Sequence, residues 1–200
     1  AKGTPAVAVA GGWVRMARLL AAPANAFGGP VLGYNLVLLA SLVASGLGAQ
    51  LLVRRVSGDR LAAFVGGALF AVGSHRWIRL AHIHAELTVF LPLALLALDR
   101  FWEKRTWRPA LLAGLFLALQ ALCSVYVGAI TALAIAVAVG VMAVGGLTGR
   151  DVLKLGAGLA LAAVLLAPTA RPYLRMRALQ GMEWSLADVG TYATTLESYA

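Results

Sequence analysis

The sequence predicts an all-α fold, a polytopic transmembrane helical bundle of about six spans with short interfacial helices. Three observations carry that expectation. Hydrophobic residues make up 61% of the 200 and charged residues 12%, with a mean hydropathy of +0.84, far more apolar than a soluble domain of this length requires. Several apolar runs approach or exceed the ~20 residues with which a helix crosses a hydrocarbon core. Trp13, Trp77, Trp102, Trp107 and Trp184 all fall at the ends of such runs, as an interfacial aromatic belt does.

Composition also excludes several classes. A net charge of +9 would suggest nucleic acid in a soluble protein. Here the basic residues stand mainly at the ends of apolar runs, so they read as topology signals and contacts to membrane lipid phosphate, and no nucleic-acid partner is expected. Cys123 is the sole cysteine, which excludes an internal disulfide and a thiolate metal cage and suits a small packing residue. The glycines form neither G-x-G-x-x-G after a strand nor a Walker pattern.

Residues 1–30 read as an extracytoplasmic or interfacial segment, with Trp13, Val14, Leu19 and Leu20 on one side of a short amphipathic helix. Gly28, Gly29 and Pro30 break the chain before the bundle, assigned to residues 31–168. The first span, 31–53, carries Ser41, Ser45 and Ala49 four residues apart, which lets another helix approach closely. Residues 61–73 rise only about 20 Å as a helix, too short to cross unless the helix continues through Trp77 to Leu80 with Arg76 and Arg79 snorkelling. Residues 86–98 form the next span, kinked at Pro92, followed by a charged loop to Arg108. The apolar stretch Pro109–Gly146 must hold two spans, broken between Cys123 and Gly128, and a sixth runs from 152 to Pro168.

Residues 169–200 form an extracytoplasmic tail in which Ser185 and Asp188 have capping-box spacing. The start at Ala1 and the polar stop at Ala200 read as a piece of a longer polytopic protein. The loops 54–60, 99–108 and 147–154 carry nine Lys or Arg and the other side eight, so total count decides little. Read over short loops near the spans, the bias puts those three loops in the cytoplasm.

Candidate chemistry gathers in residues 74–86, which hold all three histidines. On a helix His75, Arg79, His82 and Glu86 share one face and His84 lies nearly opposite. In an extended segment His82, His84 and Glu86 would point together, a weak H-x-H-x-E pattern that leaves a divalent metal open. The cluster equally reads as substrate or phosphate contact, or as interfacial polar residues that end two helices. Arg171 and Arg175 lie one helical turn apart and offer bidentate geometry to a phosphate, or snorkel to anionic lipid. Asn35 and Gln120, polar within spans, read as groups that join helices.

The stretches Gly29-Pro-Val-Leu-Gly-Tyr-Asn35, Arg54-Arg55, His75 to Glu86, Leu91-Pro-Leu-Ala-Leu-Leu-Ala-Leu98, Leu119 to Gly128 and Leu166-Ala-Pro-Thr-Ala-Arg-Pro-Tyr-Leu-Arg175 together resemble bacterial membrane proteins of the GT-C glycosyltransferase superfamily, including YfhO-like and mannosyltransferase-like members. The resemblance implies a multi-pass enzyme of the bacterial inner membrane that moves a sugar from a polyprenyl-phosphate-linked sugar donor to a glycan or protein acceptor outside. It implies that Glu86 or His82 assists the base and that Arg171 and Arg175 hold the departing phosphate; the shared helical face adds His75 and Arg79 as contacts to substrate or lipid phosphate. The family's first-loop carboxylate is not found here, since no Asp or Glu occurs before Asp59, and it is expected upstream of Ala1. The rival class is a non-enzymatic transporter or assembly subunit, against which the sequence offers spans without a clear buried ionisable residue.

Overall fold

A computed structural model describes residues 15–74, 76 and 86–180. The described residues form six helices of 13 residues or more and no strand: α1 (Arg15–Ser57), α2 (Arg60–Val72), α3 (Phe90–Lys104), α4 (Trp107–Cys123), α5 (Val125–Val144) and α6 (Gly149–Gln180). Three of them, α1, α5 and α6, are long and apolar enough to cross a membrane, whereas α2 and α4 are shorter apolar helices. The large side chains on their outer faces, such as Leu39, Val43 and Leu47 of α1 and Leu133, Val137 and Val141 of α5, are exposed as lipid-facing residues are. This is a helical membrane protein.

The expected break at Gly28 to Pro30 is found within α1. Gly29 has φ 78° and ψ 178°, a conformation that only glycine adopts readily, and Pro30 has no amide hydrogen to continue the ladder. The arm before the break folds back on the shaft after it: a Cβ at Gly33 would meet Asn25 and the carbonyl of Ala21. Along the shaft, Ser41, Ser45 and Ala49 are buried as their spacing suggested. About 100° round the helix from Ser45, Gly46 faces Gly67 of α2, so close that a Cβ on Gly67 would stand 2.7 Å from the Gly46 carbonyl oxygen.

α2, Arg60–Val72, matches the apolar run read over 61–73 and ends where Gly73 is extended (φ −54°, ψ 143°); its continuation through Trp77 to Leu80 lies outside the described residues. Three other boundaries differ from the sequence reading. Pro92 does not kink a span, because it lies in the first turn of α3, where its missing amide costs no intrahelical bond. The charged stretch 99–108 is not a loop. α3 runs to Lys104, Arg105 closes it in the left-handed region (φ 51°), and α4 begins at Trp107. Finally, α6 continues through Pro168 to Gln180, with the Thr169 hydroxyl donating to the Leu166 carbonyl at 2.7 Å beside the proline. The break inside 109–146 falls at Ser124, extended at φ −156°, whose hydroxyl caps α5 by accepting from Val127 N.

Successive helices reverse direction, so three connections gather at one basic end. Arg55 donates to Asp99 at 2.6 Å and to Glu103 at 2.7 Å, tying the end of α1 to the end of α3. Arg105 donates to Asp151 at 3.1 Å and stacks on Trp102 at 3.9 Å, while the Lys154 ammonium reaches the Arg105 carbonyl at 2.6 Å. Thr148 and Asp151 cap α6 reciprocally, each side chain accepting the other's amide. α4 and α6 then run side by side in the same direction, in contact at Gly114 and Gly158.

Candidate functional site

The described part of the titratable cluster lies inside the bundle. Arg76 is 2% exposed and Glu86 1%, and the guanidinium Nη1 stands 3.4 Å from Glu86 Oε2. The same nitrogen donates to the Glu86 carbonyl at 2.9 Å, and Nη2 donates to the Thr88 hydroxyl. Phe70 of α2 covers one face of the guanidinium, with its ring centre 5.2 Å away. Arg76 therefore does not snorkel to a headgroup, as its sequence position suggested; the carboxylate ten residues on holds it in the interior.

Two neighbouring helices complete this node by bonding to backbone groups just before α3 and in its first turn. From α1, the Ser45 hydroxyl donates to the Glu86 carbonyl at 3.4 Å and accepts from Thr88 N at 3.2 Å. From α4, Gln120 donates to the Leu87 carbonyl at 2.9 Å and accepts from Leu91 N at 3.2 Å. The helix-joining role expected of Gln120 is thus met, whereas Asn35 is exposed. The node is deep. Ser45 lies about 14 Å along α1 from Arg54 at ~1.5 Å per residue, close to half of a ~30 Å hydrocarbon core.

His75, Arg79, His82 and His84 lie outside the described residues, so their shared face with Glu86 and the His82, His84 and Glu86 metal set are sequence expectations. Among the described residues no group of three or more metal-type side chains comes together. Arg171 and Arg175 are both exposed on α6. They stand about 33 and 39 Å along that helix from Gly149, past a core of ~30 Å. Arg171 and the Arg76 node therefore belong to different levels of the molecule.

Sequence reasoning missed the partnership of Arg76 with Glu86 and Thr88, and with it the presence of buried ionisable groups. A signal was present: opposite charges in a chain with little else that is charged, close in sequence between apolar runs, are better paired than separately exposed. No protein-family model, curated protein or solved structure matches the chain.

Proposed function

We propose that this chain is a multi-pass protein of the bacterial inner membrane that takes a sugar from a polyprenyl-phosphate carrier and passes it to an extracytoplasmic glycan or protein acceptor. The observation that supports this reading is the pair of exposed guanidiniums, Arg171 and Arg175, one turn apart where α6 outlasts the hydrocarbon. Two arginines at headgroup level present bidentate donors to a carrier phosphate. In the transfer, an acceptor hydroxyl attacks the anomeric carbon and the bond from that carbon to the phosphate oxygen breaks. The phosphate leaves with the electron pair, stabilised by the arginines. The acceptor proton passes to a base, a role assigned to His82; Glu86, engaged by Arg76 at a different level from Arg171, takes no part in this step.

Replacing both arginines, Arg171→Gln with Arg175→Gln, tests the reading. Polyprenyl-phosphate binding should weaken while expression and membrane insertion stay unchanged; unaltered binding would leave the arginines as anchors to ordinary anionic lipid. A second reading, a transporter or assembly subunit without catalysis, is favoured by the buried Arg76 and Glu86 at mid-depth, since such groups mark solute pathways. Sugar transfer by the purified protein in vesicles separates the two.

A further inference from the structure

α5 and α6 both pack on α4 but leave a gap between them above it. The cause is local. α5 turns Ala132 and Ala136 to this side and α6 turns Gly156, residues too short to meet across a floor of Ala113 and Gly114. The result is a half-open groove of about 340 Å³ lined wholly by Ala, Gly, Val, Leu and Ile. An apolar void of this kind holds no water, and its walls lose dispersion contacts unless hydrocarbon fills it. The groove runs from Val152 to Leu159 along α6, about 10 Å by helix rise. Leu147, in the connection from α5 to α6, lines its basic end, where Trp102 lies against Gly145 as an aromatic at headgroup level does. At the other end Ile135 and Leu166 pack on Leu117, Ala118 and Ala162 and close it.

Length and charge together name the occupant. A further transmembrane helix, ~10 Å across, would need a groove running the whole ~30 Å core, and this one covers about a third of it. A single lipid chain needs no more. The stretches 54–60, 99–108 and 147–154, which gather at the basic end, carry nine Lys or Arg against four Asp or Glu. Arg108 and Arg150, in the first turns of α4 and α6, stand two residues before the groove residues Ala110 and Val152. Both are exposed, and neither joins an ion pair among the described residues. We infer that the groove seats one acyl chain of an anionic phospholipid from the leaflet at the basic end, with the lipid phosphate at the level of Arg108 and Arg150. The site is independent of the carrier phosphate contact, because Arg171 lies about 18 Å beyond Leu159 along α6, toward the other leaflet. The two readings therefore fail separately.

Native mass spectrometry of the intact chain, released from micelles carrying equal amounts of phosphatidylglycerol and phosphatidylcholine, reads the occupant. A one-to-one phosphatidylglycerol adduct is expected, in excess over phosphatidylcholine by about fivefold or more. Arg108→Gln with Arg150→Gln should remove that preference. Gly156→Leu fills the groove without a clash, since a Cβ there meets nothing within 4 Å, and should abolish the adduct. Gly140→Leu, equally open but outside the groove, should keep it. Ala132→Leu, from the opposite wall, repeats the test should Gly156→Leu not fold. Equal binding of the two lipids by the unaltered chain, or an adduct that survives filling of the groove, overturns the proposal. Displacement of phosphatidylglycerol by an equal amount of polyprenyl phosphate would give the groove to the carrier chain instead. A dimer that Gly156→Leu dissociates would give it to a second copy, and either result overturns the phospholipid assignment.

Discussion

Arg76 and Glu86 are ten residues apart and meet at 3.4 Å, the one ion pair among the described residues in which both side chains are at most 2% exposed. Removing one partner from such a pair leaves an uncompensated charge in the interior and typically costs about 3–5 kcal/mol. Arg76→Gln and Glu86→Gln should each lower stability by an amount of that order. The double replacement should cost clearly less than the sum, because it removes both charges and leaves amides that can bond to each other. Thermal unfolding in detergent of the wild type and three variants checks this. Strict additivity would show that the two groups act separately.

The fold was largely legible because its main signals are local. The break at Gly29 follows from two glycines and a proline, the division at Ser124 from the length of the apolar run, and the α1 contact face from Ser41, Ser45 and Ala49. Boundaries set by tertiary structure were less legible. Pro92 and Pro168 look alike in sequence, yet one opens a helix and the other sits inside one, because neighbouring side chains decide where backbone groups are satisfied. The site was legible only as a cluster. Spacing placed Glu86 on a helical face with histidines, but Arg76 and Glu86 would stand about 15 Å apart on one continuous helix, so their pairing is a tertiary contact that periodicity does not encode.

Gln120 bridges α4 to Leu87, just before α3, and to Leu91 in its first turn through both ends of its amide. Gln120→Leu would leave the Leu87 carbonyl and the Leu91 amide without that partner, a loss of roughly 1–3 kcal/mol. Asn35→Leu, at an exposed position, should leave stability nearly unchanged. Chemical unfolding of the two variants side by side gives the comparison, and equal tolerance would remove Gln120 from the account of the node.

Helix contact through glycine makes an equally local prediction. A Cβ on Gly114 would lie 1.9 Å from the Gly158 carbonyl oxygen, whereas a Cβ on Gly140 meets nothing within 4 Å. Gly114→Ala must push α4 and α6 apart and should destabilise by about 1–3 kcal/mol or more. Gly140→Ala should be neutral or slightly favourable, since alanine suits a helix better by up to ~1 kcal/mol. Melting temperatures that move together for both variants would contradict this packing.

The last prediction concerns sidedness. The ion pairs from Arg55 to Asp99 and Glu103, and from Arg105 to Asp151, hold three connections at one end of the bundle. Tyr126 lies beyond the far end of α4, a helix of 17 residues, and is 78% exposed. That length separates the two levels by about 25 Å, most of a ~30 Å core. Single cysteines at Lys104, Arg150 and Tyr126, each exposed, can be introduced after Cys123→Ala removes the native thiol. In intact cells an impermeant thiol reagent should reach Tyr126→Cys directly. Lys104→Cys and Arg150→Cys should react only after the membrane is opened, because short loops rich in arginine and lysine stay in the cytoplasm. Reaction of all three from the same side would mean that α4 does not cross and that the basic end and the Ser124 turn share one membrane face.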